Sequence, residues 1–279
     1  MHRIVWCLLL PTVFLVMVPA RPGAGEQKIN RAAPVRTVNG VPVLTTIPEL
    51  VDPRHTAVLV VDMQNEIVST EGGYFRKDRK TPADPKRHRV APAYAELVPS
   101  VSRFLQQARA KGIPVLYAEY VHRDENGKLI VNGPECWTHR NSDWVSCVKA
   151  GTWEAQTVRE LAPRPGELVL RKARANAFYN TYLDDALKER SIRTLLLTGT
   201  AGGGCVFATA MGALERGYYG VFVKDCVDQR DYLGSDLIRG RFPIHSSKEV
   251  LAAWSGPGGG KPRGESENSR KSGVRTEKR

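Results

Sequence analysis

The segment LLLTGTAGGGCVFATA, residues 195–210, decides the fold class of this chain. Three leucines lead into three successive glycines, a cysteine and a second apolar stretch. A continuous apolar strand that turns through glycines into a helix is typical of the strand–helix units of a parallel sheet. The segment therefore predicts an α/β fold in which Cys205 closely follows a strand end.

The same alternation of strand and helix patterns continues on both sides of this segment. Right-handed crossovers between parallel strands place helices on both faces of a sheet. The sequence therefore predicts a mainly parallel sheet of about six strands, covered on both faces. The predicted strands are residues 57–62, 113–120, 167–172, 194–199, 219–225 and 242–245, and the predicted helices are residues 93–112, 154–162, 180–191, 205–217 and 247–254.

The composition is that of a globular protein: of 279 residues, 42% are apolar and 25% are charged. It argues against a wholly disordered chain, a collagen-like repeat and a protein with several membrane spans. Residues 51–254 are predicted to form one folded domain. Residues 21–50 lack apolar periodicity and are predicted to be a linker, and residues 255–279 are predicted to be a disordered basic tail.

The chain carries a formal net charge of +12, from 41 basic and 29 acidic residues. Seven basic and three acidic residues within segment 256–279 contribute +4, and a further basic cluster lies at residues 76–89. The sequence has neither zinc-finger spacing nor an aromatic-basic ribonucleoprotein motif. A solvated basic loop is favoured over a nucleic-acid surface, so we expect no nucleic-acid partner.

Residues 1–20 are predicted to be a secretory signal peptide. Arg3 precedes an apolar run at residues 4–18 that is short and interrupted by Pro11, and Ala20 provides a small residue for cleavage. An uncleaved N-terminal anchor is the alternative. Cleavage predicts a secreted or periplasmic protein that has no membrane association after the signal is removed.

Four cysteines follow the predicted leader: Cys136, Cys147, Cys205 and Cys226. The first two lie within residues 122–153, a stretch without periodicity that predicts a long loop. In an oxidising compartment Cys136 and Cys147 either form a disulfide or stay free, and their spacing does not decide between these states.

Three reactive side chains, Asp62, Lys172 and Cys205, fall at or just after predicted strand ends. Each also has a plain structural reading, as a turn cap, an exposed charge and a small core residue respectively. Ligands bind at the carboxyl ends of parallel strands, where the strand order reverses. The presence of all three side chains at such ends favours a catalytic site.

Cys205 has the sequence context of a nucleophile. Amide hydrogens at the start of a helix favour a thiolate, which predicts a lowered pKa for Cys205, and amides of the glycine turn can stabilise an oxyanion. Lys172 supplies a positive charge and Asp62 a proton-transfer group. A Cys–His arrangement with His122 or His245 is an alternative. A phosphate-binding turn is disfavoured, because the Gly-Lys-Ser/Thr ending is missing.

Three motifs resemble those of the isochorismatase-like cysteine hydrolases, in that family's order: AVLVVDMQNE at residues 57–66, ELVLRKARANAFYNTYLDDAL at 167–187, and LLLTGTAGGGCVFATAMGALERGY at 195–218. The resemblance implies a three-layer α/β/α fold. Within the family, the stretches GGY, AGTWEAQ and NAFYNTYLD look most similar to ureidoacrylate amidohydrolases and to related biuret or N-carbamoyl amidases. We expect such an enzyme to need no cofactor.

The resemblance implies a catalytic triad of Asp62, Lys172 and Cys205, in which Cys205 attacks an amide or carbamoyl carbon. Asp62 would transfer protons and later activate water, and Lys172 would stabilise the thiolate. It also implies an oxyanion hole from the backbone amides of Ala201 and Cys205, and a cis peptide between Thr200 and Ala201. The metal-binding Asp-x-His-x-x-His spacing of the nicotinamidase branch is missing from the sequence, so we expect no metal.

Five further side chains are expected around the substrate: Gln64, Tyr74, Trp153, Arg174 and Phe178. Arg174 could attract a carboxylate, whereas the aromatic side chains have core packing as their alternative. We expect a small-molecule substrate and a homo-oligomer.

Taken together, the motifs predict an amidohydrolase that cleaves the C–N bond of a small amide, ureido or carbamoyl substrate through a thioester and releases ammonia. One alternative is vinyl-ether hydrolysis of the isochorismatase type, which the intact triad disfavours. The other is a secreted binding protein that keeps the fold without turnover.

Overall fold

The computed structural model describes residues 36–72, 91–131, 133–134, 148–228 and 236–256. The chain forms two compact units, Met1–Val43 and Leu44–Arg279. In the smaller unit, strands β1 (Thr37–Val38) and β2 (Val41–Pro42) form an antiparallel hairpin. Its turn residues Asn39 and Gly40 have positive φ angles of 49° and 77°, as a two-residue hairpin turn requires.

Several sequence predictions fall outside the described residues. They are the signal peptide at residues 1–20, Tyr74, the basic cluster at residues 76–89, the Cys136–Cys147 pair and the tail after Gly256. These stay predictions.

A parallel sheet of six strands forms the centre of the larger unit, within the described ranges. The strands are β3 (Thr56–Val61), β4 (Val115–Tyr120), β5 (Leu168–Lys172), β6 (Thr194–Gly199), β7 (Tyr219–Val227) and β8 (Ile244–His245). Their order is β5-β4-β3-β6-β7-β8, and every neighbouring pair is parallel. After β3 the chain adds β4 and then β5 on one side of the sheet, and after β6 it adds β7 and then β8 on the other side. The strand order therefore reverses between β3 and β6.

Helices accompany the strands along the chain. They are α1 (Ile47–Leu50), α2 (Asn65–Val68), α3 (Ala91–Ala110), α4 (Leu183–Glu189), α5 (Phe207–Glu215), α6 (Asp236–Arg239) and α7 (Ser247–Ser255). None of these described helices is both long enough and apolar enough to cross a bilayer.

Two hydrophobic cores lie on opposite faces of the sheet. Val58 and Val60 of β3 join one core, and Leu59 and Val61 join the other, because successive side chains of a strand alternate between faces. The first core includes side chains of α1, α3 and α7, and the second includes side chains of α4 and α5. The predicted three-layer α/β/α fold is thereby confirmed.

Two predicted segments differ from the structure. The helix predicted at residues 154–162 is wrong, since a short 3₁₀ turn, Arg159–Leu161, is the helical part. Before it, Thr157 forms an antiparallel bridge with Gln64, and its amide donates to the Glu119 carboxylate at 3.1 Å, which holds the chain extended. Within the predicted linker, residues 21–50, the structure contains the capped helix α1, whose Leu50 is buried.

Gly199 ends β6 at the centre of the sheet. Its φ of 104° is one that residues with a Cβ rarely adopt. A Cβ here would lie 2.0 Å from the carbonyl oxygen of Val61, which also accepts the Thr200 amide at 3.0 Å. Glycine therefore lets the chain leave β6 directly against the end of β3, one residue before Asp62.

We expect Gly199→Ala to lower the free energy of unfolding by about 3 kcal/mol, because the added methyl group meets main-chain atoms in a strained conformation. Gly220→Ala in β7 is the matched control, since its Cβ would lie 3.4 Å from Leu197 Cδ1, an ordinary contact. Denaturant titration measures both. Equal destabilisation by the two variants would contradict this account of the strand end.

Candidate active site

Asp62 is the first residue after β3, at the point where the strand order reverses. Its φ of 52° is in the left-handed region, which Asp tolerates better than most residues. The side chain is buried, and its Oδ1 forms no hydrogen bond with the residues that the structure describes.

Lys172 is the last residue of β5, two strands away from β3. Its side chain crosses the end of β4 with Nζ 4.2 Å from the ring centroid of Tyr120. Nζ then donates to Asp62 Oδ2 at 3.0 Å and to the Arg174 carbonyl at 3.1 Å. The Lys172 and Asp62 side chains are 0% and 3% exposed, so each charge has the other as its buried counter-ion.

Cys205 lies in a single π-helical turn, Gly202–Val206, between β6 and α5. The helix predicted at residues 205–217 begins later, at Phe207, because Cys205 and Val206 belong to the π-helical turn, in which Gly204 has non-helical angles of φ −109° and ψ −107°. Cys205 is half-buried and is a free cysteine. Its thiol is close enough to Asp62 and Lys172 for both charges to shift its pKa.

The three side chains determine one another's protonation. Burial raises the pKa of the Asp62 carboxyl, and the Lys172 charge offsets this only in part. Burial lowers the pKa of Lys172, but its interactions with Asp62 and Cys205 outweigh burial, so the net pKa is raised. Burial and the Asp62 charge raise the pKa of the Cys205 thiol, against the opposing effect of Lys172.

The predicted lowering of the Cys205 pKa is therefore wrong. Loss of solvent and a neighbouring carboxylate both disfavour a thiolate, and together they exceed the stabilisation from Lys172. The surroundings of Cys205 therefore favour the protonated thiol over the thiolate.

The backbone before Cys205 turns sharply at Ala201. The Thr200–Ala201 peptide is cis, which confirms the conformation implied by the resemblance. The Ala201 carbonyl accepts the amides of Gly204 and Val206 at 2.9 and 3.2 Å. Its own amide donates to none of the described residues, so it is a candidate oxyanion donor together with the Cys205 amide.

Gln64 belongs to the framework of the site. Its fully buried Nε2 donates to the carbonyls of Tyr120 and Ala155 at 2.9 and 2.8 Å, and Oε1 accepts the Tyr120 amide at 2.7 Å. These bonds tie the chain after β3 to the end of β4 and to the loop before Thr157. The structure thus assigns the side chain to main-chain contacts, where the sequence predicted a substrate contact.

Two predicted pocket aromatics have different surroundings. Phe178 is buried in the core and stacks on Tyr218 with ring centroids 5.9 Å apart. Its surroundings are those of core packing, the alternative given for the aromatic side chains. Trp153 is 43% exposed, and its carbonyl accepts the side-chain Nδ2 of Asn65 at 2.8 Å. Of the two, Trp153 has the side chain that solvent or a ligand can reach.

Arg174 follows Lys172 by two residues and lines a cavity of about 300 Å³ together with Tyr179, whose ring centroid lies 5.6 Å from the guanidinium carbon. The neighbouring Arg171 is paired with Glu125. The buried Nε of Arg174, in contrast, has no hydrogen-bond partner among the described residues. Asp62 and Cys205 are not among the described residues that line this cavity.

The two histidines of the Cys–His alternative lie on different parts of the sheet. His245 is on the edge strand β8, and His122 is fully buried against the Tyr120 ring, with centroids 4.9 Å apart. The charges that act on the Cys205 thiol are those of Asp62 and Lys172. Within the described ranges, no three His, Cys, Asp or Glu side chains converge into a group that could hold a metal ion.

Three residues close to these side chains were not among the predicted site residues: Tyr120, Thr200 and Asp228. Tyr120 is the last residue of β4, and its ring lies beneath the Lys172 ammonium. Asp228 follows the true end of β7, whereas the predicted strand ended at Asp225. The rule that selects polar residues at strand ends would have found Asp228 if that boundary had been placed correctly.

Residues 56–236 match the family model of the isochorismatase domain. The chain belongs to the isochorismatase family. This range includes Asp62, Lys172 and Cys205, and it confirms the resemblance carried by the three sequence motifs. The prediction of an enzyme, a hydrolase of this family, is confirmed as well.

The chain is similar in sequence or in fold to several named proteins. The ureidoacrylate amidohydrolase RutB of Rhizobium rhizogenes is 31% identical over 203 residues, which cover 69% of this chain and 76% of the relative. A solved cysteine hydrolase from Pseudomonas syringae pv. phaseolicola has a TM-score of 0.58 and 22% identity, covering 73% and 94% of the two chains. N-carbamoylsarcosine amidase from Thermoplasma acidophilum has a TM-score of 0.52 and 24% identity, covering 69% and 96%. At these identities the two solved structures show the fold.

The charges around Cys205 predict that loss of the Lys172 charge and loss of the Asp62 charge shift the pH profile of its alkylation in opposite directions. Lys172→Met is expected to move the pH profile of modification by iodoacetamide to higher pH, because the charge that stabilises the thiolate is lost. Asp62→Asn is expected to move it to lower pH, because the charge that opposes the thiolate is lost. Peptide mass spectrometry gives the rate at Cys205, and the fully buried Cys226 serves as the internal control. Shifts in the same direction for both variants would refute this electrostatic account.

Proposed function

We propose that this protein is a cysteine-dependent amidohydrolase that cleaves a C–N bond of a small amide, ureido or carbamoyl compound through a thioester. The observation that carries the proposal is the buried Lys172–Asp62 ion pair beside the Cys205 thiol, at the carboxyl ends of parallel strands. A nucleophile, a proton acceptor and a fixed positive charge are the groups that acyl transfer needs.

The first step forms the thioester. Asp62 takes the proton of Cys205, and the sulfur attacks the carbonyl carbon, whose π electrons move to its oxygen. Lys172 stabilises the sulfur as it becomes negative, and the amides of Ala201 and Cys205 donate to the new oxyanion. The tetrahedral intermediate then collapses, the C–N bond breaks, and protonated Asp62 returns the proton to the departing nitrogen, which leaves as ammonia.

The second step restores the enzyme. Asp62, again a carboxylate, removes a proton from water as the water oxygen attacks the thioester carbon. The C–S bond breaks, the sulfur recovers its proton from Asp62, and the acid product leaves. The sum is one amide and one water converted into one carboxylic or carbamic acid and one ammonia.

The raised pKa of Asp62 suits this role. Proton transfer from a thiol to an ordinary carboxylate is unfavourable, because the two pKa values lie far apart. Burial moves the Asp62 pKa upward and so makes the carboxylate a stronger base. Lys172 holds the developing thiolate by charge, so the transfer becomes feasible in the presence of substrate.

The relatives support the substrate class. Several of the relatives are named ureidoacrylate amidohydrolase, and one of them, from Methylobacterium radiotolerans, is 33% identical over 209 residues, which cover 68% of this chain and 74% of the relative. A ureido group presents the carbonyl and the leaving nitrogen that this site requires. The Arg174 side chain, which lines a cavity together with Tyr179, would offer its positive charge to an anionic part of such a substrate.

The test is ammonia release from a panel of ureido and amide compounds that includes ureidoacrylate and N-carbamoylsarcosine. We expect Cys205→Ala and Cys205→Ser to reduce turnover by at least about 1,000-fold, because both variants remove the sulfur that forms the thioester. Cys226→Ala removes the other described free cysteine, which is fully buried, and should retain activity.

Full activity of Cys205→Ala would contradict the thioester path. Hydrolysis of a vinyl ether by both the wild type and Cys205→Ala, with no ammonia from the panel, would favour the isochorismatase-type alternative.

A further inference from the structure

A buried polar network lies directly behind the turn that precedes Cys205. The Tyr94 hydroxyl is 3.1 Å from Thr200 Oγ1 and 3.4 Å from Asp228 Oδ2. The Thr200 hydroxyl donates to the same Asp228 oxygen at 3.3 Å. The three residues are 3%, 1% and 6% exposed, so these contacts form in a nearly water-free environment. The triad described above uses none of these three side chains.

The network joins three elements at the carboxyl edge of the sheet. Tyr94 is on α3, Thr200 follows β6, and Asp228 follows β7. A register shift brings Asp228 to this position, because Leu197 pairs with Phe222 but Gly199 pairs with Val227. Two residues along β6 therefore correspond to five along β7. The additional residues of β7 place the Asp228 carboxylate beside the turn.

Main-chain contacts hold the same turn from both sides. The Asp228 amide donates to the Gly199 carbonyl at 2.9 Å, and the Thr200 amide donates to the Val61 carbonyl at 3.0 Å. A Cβ at Gly202 would lie 2.0 Å from the Asp228 carbonyl oxygen, so the two backbones are in close contact. Asp228 therefore contacts residues on both sides of the Thr200–Ala201 peptide.

Burial of a carboxylate together with its hydroxyl donors costs desolvation free energy. An apolar side chain at Thr200 would occupy the same volume without desolvating polar groups. Directed hydrogen bonds, unlike apolar contacts, also fix the rotation of the peptide units to which they are attached. The Thr200 carbonyl carbon is bonded to the Ala201 nitrogen, so the orientation of Thr200 sets the direction of the Ala201 N–H.

We propose that Asp228, acting through the Thr200 hydroxyl and braced by Tyr94, is a positioning residue for the oxyanion-binding turn. It holds the Ala201 amide towards the carbonyl oxygen of the substrate. This inference rests on the proposed function, because the oxyanion belongs to the acyl-transfer path.

Loss of this positioning has a distinctive kinetic signature. An oxyanion forms after the substrate has bound, so a misdirected amide lowers kcat and leaves KM nearly unchanged. Alkylation of Cys205 by iodoacetamide displaces iodide from a saturated carbon and forms no oxyanion. The alkylation rate therefore reports the thiol and its charged neighbours without reporting the turn.

The experiment compares Thr200→Val, which replaces the hydroxyl by a methyl group, with Thr200→Ser, which keeps it. We expect Thr200→Val and Asp228→Asn to reduce kcat by about 10- to 100-fold, with KM and the alkylation rate changed by less than about threefold. Thr200→Ser should retain kcat within about threefold. Tyr94→Phe should give a smaller loss of kcat, again without a change in KM or in the alkylation rate. Because it removes only one buried oxygen, it remains available as a test if another variant fails to fold.

Unchanged kcat in Thr200→Val or in Tyr94→Phe, at wild-type alkylation rates, would overturn the inference while leaving the proposed function intact. A parallel fall in kcat and alkylation rate would also overturn it, because the damage would then extend to the nucleophile.

If the wild type hydrolyses no ureido or amide compound, the proposed function fails. The inference is then tested by reversible addition of propionaldehyde. The Cys205 sulfur bonds to the aldehyde carbon and the thiol proton passes to its oxygen, which places that oxygen in the same turn. Weaker addition to Thr200→Val than to Thr200→Ser supports the role of the network, and equal addition refutes it.

Discussion

The ion pair between Lys172 and Asp62 is the interaction on which the rest of the site depends. At 3.0 Å and almost without solvent, neither charge is tolerable alone, and removal of one partner of such a pair costs about 3–5 kcal/mol. The pair also sets the chemistry of the third group. Lys172 stays protonated and favours a thiolate at Cys205, whereas Asp62 and burial oppose it. On balance these effects raise the pKa of the Cys205 thiol.

The parallel sheet provides the geometry that the ion pair requires. Lys172 ends β5 and reaches across the end of β4 to Asp62, which follows β3. The sequence predicted this much, because strand-like runs ending in Asp62 and Lys172 must place both side chains at the same edge of a parallel sheet. The six strands, the three-layer fold and the glycine turn at Cys205 also followed from local patterns. Residues 194–199 were predicted as a strand with the boundaries that β6 has.

Other parts of the site depend on contacts between distant segments, which periodicity does not reveal. The irregular pairing of β6 and β7 places Asp228, and not Asp225, behind the turn. Residues 154–162 have a local pattern that predicts a helix, but the bridge between Gln64 and Thr157 holds part of this segment extended. The pKa of Cys205 was expected to be lowered by the start of a helix, but its direction is set by burial and by Asp62, which is far away in sequence. In each case the tertiary environment overrode a local signal.

The central claim is that Cys205 carries the substrate's acyl or carbamoyl group during turnover. The most direct measurement mixes the enzyme with a ureido compound that it hydrolyses, quenches the reaction with acid within milliseconds, and determines the mass of the peptide that contains Cys205. The account predicts that this peptide gains the mass of the substrate minus ammonia, and that the added mass disappears as turnover is completed. Continued product formation with the Cys205 peptide unmodified at every time point would contradict it.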